Sequence, residues 1–275
     1  MEPVRVGRGA EAIITSTKNP RLRAAASLRG RGARDETGLT LVDGTRELTL
    51  ALAGGASVVE VFANAERLSA EGEVVVAEAR RRGAAIVPVS GAALDGLAYG
   101  DRNDGLVAVV RIPSLDLDAL HLPVDPLLVV VEGVEKPGNL GAVMRTADGA
   151  GADAVIAADP RTDLFNPNAI RASLGTIFAV PVAAGASPSV RDYLRAAAVR
   201  VVVARVDGAA PYTDVDLRGP LAIVLGSEAE GLSEAWTGEG LTVVRLPMLG
   251  VADSLNVSIA AGILLYEARR QRGVP

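Results

Sequence analysis

With 275 residues, 49% of them hydrophobic and 22% charged, the chain is long enough for one large or two medium domains and too apolar for global disorder. It has no cysteine and one histidine, His121, which excludes disulfides, thiolate nucleophiles, iron–sulfur clusters, cysteine-containing zinc sites and HExxH metal sites. The net charge of −5 argues against a generally basic nucleic-acid binder, yet residues 1–34 hold eight Arg or Lys against two acids, a net +6 that leaves −11 for the rest.

Residues 1–16 are expected to be loosely held. Residues 21–34 mix Ala, Leu and Arg and predict a basic helix. A strand is expected over 39–42. Asp43-Gly44-Thr45 then turns into a helix through Ala53, stopped by Gly54-Gly55. A strand over 58–63, a helix over 65–82 broken near Gly72, and strands over 85–89 and 106–112 complete a small α/β unit. Residues 113–126 carry three prolines, several acids and no periodicity, and they predict a linker. A second α/β alternation follows. Its expected strands are 127–132, 154–157, 199–206, 221–225 and 242–246, and its expected helices 140–150, 188–198, 232–236 and 254–272. Continuous apolar strands alternating with helices predict a mostly parallel sheet with helices on both faces. The domain reading is therefore 1–112, a linker over 113–126, and 127–275. No run approaches the roughly 20 apolar residues of a membrane span, and the start lacks the apolar core of a signal peptide. A cytoplasmic protein with no membrane partner is expected.

In a parallel sheet ligands sit beyond the carboxyl ends of the strands, so the segments there carry the chemistry. After the strand 127–132 comes Lys136-Pro-Gly-Asn-Leu-Gly-Ala-Val-Met-Arg145. Gly138 and Gly141 suit a tight strand-to-helix turn, Asn139 suits a helix cap, and Arg145 lies one turn beyond Gly141. The dinucleotide GxGxxG and the Walker signature are both absent. After 221–225 comes Gly226-Ser-Glu-Ala-Glu-Gly231-Leu-Ser, where Gly226 allows a ligand close to the backbone and Glu228 can orient an arginine or a ribose hydroxyl. After 242–246 comes Pro247-Met248 and, further on, Ser254-Leu-Asn256-Val-Ser258. Asp253 or Ser254 suits a helix cap, and Asn256 needs partners if buried. Each segment alone also fits an ordinary turn with solvated polar groups; their joint order is far more specific.

Together the three segments resemble the three motifs of the SpoU (TrmH) branch of the SPOUT methyltransferases, which methylate ribose 2′-hydroxyls of RNA with S-adenosylmethionine. Asn139, Gly141 and Arg145 match an Asn-x-Gly-x-x-x-Arg pattern. Residues 225–232 match Leu-Gly-x-Glu-x-x-Gly-Leu, and residues 247–258 match Pro-Met…Ser-Leu-Asn-Val-Ser. A weaker match over 15–111, with Val42-Asp-Gly-Thr-Arg-Glu-Leu48, is similar to the family's ribosomal-protein-like substrate-binding domain. There Asp101-Arg-Asn-Asp-Gly105 stands where the family often has a His-Gln-Gly turn. Within the family the chain is most similar to actinomycete ribosomal-RNA methyltransferases that confer antibiotic resistance.

The resemblance implies a C-terminal segment threaded into a trefoil knot, a homodimer whose site draws on both chains, and no metal. It implies a catalytic set of Arg145, Asn139, Glu228, Ser254 and Asn256, with S-adenosylmethionine held near Gly226, Leu246, Met248 and Leu255. Ribosomal RNA is the implied substrate, with Lys18, Arg21, Arg23, Arg29, Arg31 and Arg46 as its phosphate-binding residues. The alternatives are an RNA-binding module of the same fold without catalysis and a tRNA methyltransferase of the same superfamily.

Overall fold

The computed structural model of the chain describes residues 12–98, 104–227 and 230–273. Glu228, Asp101 to Asn103 and the basic residues of the first eleven positions lie outside the described residues. The chain forms two compact units, one ending at Arg111 and one running from Ile112, with residues 53–55 grouped with the second.

In the first unit the elements are α1 (Pro20–Ser27), α2 (Arg31–Thr37), β1 (Leu39–Asp43), α3 (Thr45–Ala53), β2 (Val58–Ala63), α4 (Ala70–Arg81), β3 (Ala85–Pro88), α5 (Gly91–Asp95) and β4 (Leu106–Arg111). The helix expected over 21–34 is two helices. Asn19 caps the first by accepting from the Arg21 amide, with Pro20 behind it, and the second starts after Gly30. Helix α4 begins later than expected because Ser69 caps it, accepting from the Gly72 amide; Gly72 sits inside the first turn rather than at a break. The sheet order is β1-β4-β2-β3, with β4 antiparallel to both neighbours and β3 parallel to β2. Leu22, Leu28 and Leu94 close one face over Leu41, Phe62, Val87 and Val107. Residues 12–16 were expected to be loose, yet Ile14 is pinned: its amide donates to the Pro88 carbonyl at 2.9 Å and its own carbonyl accepts from Ser90 at 2.9 Å.

The second unit holds β5 (Leu127–Glu132), α6 (Pro137–Gly149), β6 (Ala154–Ala158), α7 (Pro167–Ala172), β7 (Val182–Gly185), α8 (Ser187–Ala196), β8 (Arg200–Ala204), β9 (Ala210–Pro211), β10 (Leu221–Leu225), β11 (Leu241–Arg245) and α9 (Val257–Gln271). The order is β7-β6-β5-β10-β8-β11-β9, and every described pair is parallel. Strands β5, β6 and β10 are buried at every position, as a sheet covered on both faces requires. On one face Leu128, Val130, Ile156 and Val224 meet Val190 and Leu194 of α8 and the fully buried Trp236. On the other, α6 packs against α7 and α9. Leu117, Leu120 and Leu122 lie against the same core as Trp236, and the Leu115 carbonyl accepts from Ala184 at 2.8 Å. The proline-rich stretch over 113–126 is thus docked along this unit. The chain runs β5 to β6 to β7 toward one edge and then returns to place β10 between β5 and β8. That reversal opens a crevice beyond the strand ends.

Candidate active site at the strand ends

Three turns meet in the crevice. The first follows β5. Gly133, at a φ of +63°, makes the turn, and α6 then starts at Pro137, three residues earlier than expected. Gly138, Asn139 and Gly141 are therefore inside the helix. A Cβ on Gly141 would lie 2.5 Å from the Ala172 Cβ and 2.7 Å from its backbone, so this glycine serves the contact of α6 with α7. Asn139 is not a cap. Its Oδ1 accepts from the Asn256 Nδ2 at 3.2 Å.

The second turn follows β10. Gly226, expected to give a ligand room near the backbone, lines a cavity, while on its Cβ side the chain itself packs close. A Cβ there would stand 2.3 Å from the Gly231 carbonyl carbon. The Ser227 and Gly231 amides donate to each other's carbonyls at 3.1 and 3.0 Å, and the Glu230 amide donates to the Ser227 Oγ at 3.1 Å. Gly231, at a φ of +70°, completes the closed turn. Arg161 ties Glu230 to Glu135, the latter at 2.5 Å, and these two carboxylates, Glu230 foremost, raise its pKa further above its ordinary value.

The third turn follows β11. Helix α9 begins at Val257, not at 254, and Asn256 is its cap, with Oδ1 accepting from the Ser258 amide at 3.0 Å and the Ser258 Oγ at 2.7 Å. Asp253 and Ser254 are thereby left to line a cavity of about 510 Å³, together with Gly226, Leu246, Met248 and Leu255. A smaller cavity of about 90 Å³ is lined by Lys136 and Asn139; Gly226, Ser227 and Val257 belong to both. The larger cavity falls within the usual size range of cofactor sites, with apolar walls and a few polar groups. On its rim Arg205 donates to Asp207 at 2.9 and 3.0 Å, which lowers the Asp207 pKa. Among the described residues no cluster of His, Asp or Glu could hold a metal ion.

The expected site residues thus divide. Asn139, Asn256, Ser254, Gly226, Leu246, Met248 and Leu255 come together around two adjoining cavities. Arg145 lines neither; it is exposed on α6, and its side chain hydrogen-bonds to no described residue. The expected phosphate-binding residues divide as well. Lys18, Arg23 and Arg46 are exposed and hydrogen-bond to no described residue through their side chains. Arg21 donates to Glu60 at 2.6 Å, Arg29 to the Gly96 and Ala98 carbonyls, and Arg31 faces Asp35 at 3.4 Å. Arg34, counted in the basic segment, is 2% exposed and donates to the Leu28 and Arg29 carbonyls.

Sequence reasoning passed over Glu132. It ends an apolar strand, is 5% exposed, and accepts from the Ser233 amide at 2.7 Å, the Ser233 Oγ at 2.7 Å, the Trp236 Nε1 at 3.0 Å and the Ser187 Oγ. A lone acid closing a run of buried residues was the available signal.

The SpoU rRNA methylase family matches residues 126–266, and the MRM3-like substrate binding domain matches residues 19–108. A 23S rRNA (uridine(2479)-2′-O)-methyltransferase of Streptomyces viridochromogenes is 35% identical over 271 residues, covering 94% of this chain and 92% of that protein. Among solved structures, an AdoMet-bound rRNA methyltransferase from Sinorhizobium meliloti has a TM-score of 0.86 at 31% identity, over 94% of this chain and 97% of its own. The SpoU methyltransferase AviRb from Streptomyces viridochromogenes, in complex with AdoMet, has 0.85 at 32% identity, over 93% and 98%. With more than half of its length matched by the family model and over nine-tenths of it shared with these proteins, the chain belongs to the SpoU rRNA methylase family.

Proposed function

We propose that this protein transfers the methyl group of S-adenosylmethionine to a ribose 2′-hydroxyl of large-subunit ribosomal RNA. The observation that carries the reading is the Asn139–Asn256 hydrogen bond, which joins the first and third motifs beside a cavity of cofactor size. Similarity to a 23S rRNA 2′-O-methyltransferase and to AdoMet-bound relatives supports it. Leu246, Met248 and Leu255 supply the apolar walls that an adenine needs, and Gly226 and Ser254 the polar edge.

When bound, the cofactor supplies a methyl group already activated on a sulfonium sulfur. The chain's task is then to hold the acceptor oxygen in line, and positioning contributes several kcal/mol to such a step. Asn139 and Asn256 orient the ribose, with Ser254 and Glu228 assigned to the same work. Arg145 clamps the adjacent phosphate and stabilises the forming alkoxide, whose proton passes to solvent water. A guanidinium keeps its proton and acts by charge.

Because Arg145 lies outside both cavities of its own chain, we assign it to the site of a partner subunit in a homodimer. The α9 face that exposes Ile259 (53%) and Tyr266 (57%) supports this. Gly149, one turn beyond Arg145, lies beside the Tyr266 hydroxyl, so the arginine and this apolar face adjoin. The same reading takes residues 1–112 as the RNA-binding part, with Lys18, Arg21, Arg23, Arg29, Arg31 and Arg46 on its phosphate-binding surface. It takes 113–126 as the connection and 127–275 as the knotted catalytic part. No described helix is long and apolar enough to cross a membrane, and the cytoplasm, where the substrate is, is the proposed location.

Incubation with labelled S-adenosylmethionine and ribosomal RNA from a strain lacking the gene tests the reading. Label in one nuclease-resistant dinucleotide of 23S rRNA is expected; no transfer, or label on a base, overturns it. Arg145→Lys keeps the charge and loses the fork, and a fall in turnover of about a hundredfold is expected. Turnover near that of the natural protein would sink the clamp.

A further inference from the structure

We infer that Glu132 is a positioning residue that sets the wall of the cofactor cavity. It touches neither cofactor nor substrate in this role, and the inference rests on the cofactor reading above. A carboxylate that is 5% exposed must have its lone pairs occupied, or it destabilises the fold. Among the described residues all its hydrogen-bond donors are neutral and none is a cation. Four donors converging on its two oxygens fix direction as well as distance.

Those donors come from two places. Ser187 is the first residue of α8 and lines neither cavity. Its amide is held separately, donating to the Asp159 Oδ2 at 3.1 Å. Ser233 and Trp236 come from the short helical turn that directly follows the Gly226–Gly231 turn. Three of the four hydrogen bonds therefore hold this one segment. Gly231 and Leu232, which precede Ser233, line the larger cavity. Gly226 lies hard against Gly231, so any shift of 231–233 is carried directly to the cavity. Glu132 itself borders the smaller cavity with Asn139. One carboxylate thus fixes the second motif relative to β5, the strand that leads into the first.

Isothermal titration of the full-length protein with S-adenosylmethionine, beside thermal unfolding, tests this. Ser233→Ala removes a loop-side hydrogen bond and is expected to weaken binding about five- to twentyfold. Ser233→Thr keeps the hydroxyl and is expected to restore it. Ser187→Ala removes a hydrogen bond to the same carboxylate from the helix side; it is expected to lower the melting temperature yet change affinity less than about twofold. Glu132→Gln is expected to combine both effects. Unchanged affinity in Ser233→Ala overturns the inference, as does an affinity loss that follows melting temperature across all variants, Ser187→Ala included. Those outcomes leave the cofactor reading intact. A natural protein that binds no S-adenosylmethionine overturns that reading and this inference together.

Discussion

The polar residues of the basic first helices and those at the strand ends of the second unit behave in opposite ways. In residues 18–34 much of the positive charge serves the unit's own fold. Arg34 is buried on backbone carbonyls, Arg29 reaches two more, and Arg21 meets Glu60. At the strand ends the polar side chains face one another across sequence-distant turns, as Asn139 and Asn256 do, beside a cavity of ligand size that Asp253 and Ser254 line. Charge counted along a segment overstates a binding surface, because arginine is also a long hydrogen-bonding strut. Small amides and glycines at strand ends say more about where a ligand goes.

The sharpest test of that contrast is Asn256→Ala. It removes both the cap of α9 and the link to Asn139. A loss of about a hundredfold in methyl transfer is expected, with only about 1 kcal/mol of stability. Rates and unfolding measured on one sample check this, and an activity loss no larger than the stability loss implies would break the comparison. Next come the two glycines. Gly226→Ala and Gly141→Ala both force a Cβ into backbone, at 2.3 and 2.7 Å, and each is expected to cost about 1–3 kcal/mol or more. Only Gly226→Ala is expected to abolish tight cofactor binding as well, since Gly141 packs on α7.

The basic helices give a smaller effect. Replacing Lys18, Arg23 and Arg46 together by Ala is expected to leave the melting temperature unchanged. The slope of log affinity for RNA against log salt should fall by about 2–3. Arg34→Ala is expected to do the reverse, costing about 2–3 kcal/mol with the slope unaltered. An unchanged slope in the triple variant would show that this surface does not meet phosphate.

The smallest effect is on acid stability. Arg270 and then Gln271 hydrogen-bond Glu267 and hold its pKa down to about 2 against an ordinary 4.5. Since the folded value is the lower one, the stabilisation is complete above about 4.5 and disappears as the pH falls toward 2. Melting temperatures followed from pH 5 to pH 2 should fall less steeply for Glu267→Gln than for the natural protein, and parallel curves would contradict this.

The order of strands and helices was legible wherever apolar runs were long, as in 127–132, 221–225 and 106–111, because full burial leaves no other sequence solution. The short β7 and β9 and the helices α5 and α7 were not, since two to six residues carry no period. The motif residues were legible as a set, but their local roles were not. Asn139 looks like a cap and is a cross-link; Asp253 and Ser254 look like caps and line a cavity, while Asn256 does the capping. Local propensity cannot register a partner 117 residues away. For the same reason Glu132 passed unnoticed, as its donors lie 55 to 104 residues further along.

The Asn139–Asn256 pair also has a temporal meaning. A chain emerging from the ribosome completes β5 and α6 long before α9 exists, and contacts of such separation form late in folding. An unfinished polypeptide therefore carries every strand of the crevice yet lacks the amide that closes it. The contact between the first and third motifs therefore exists only after α9 has docked on α6.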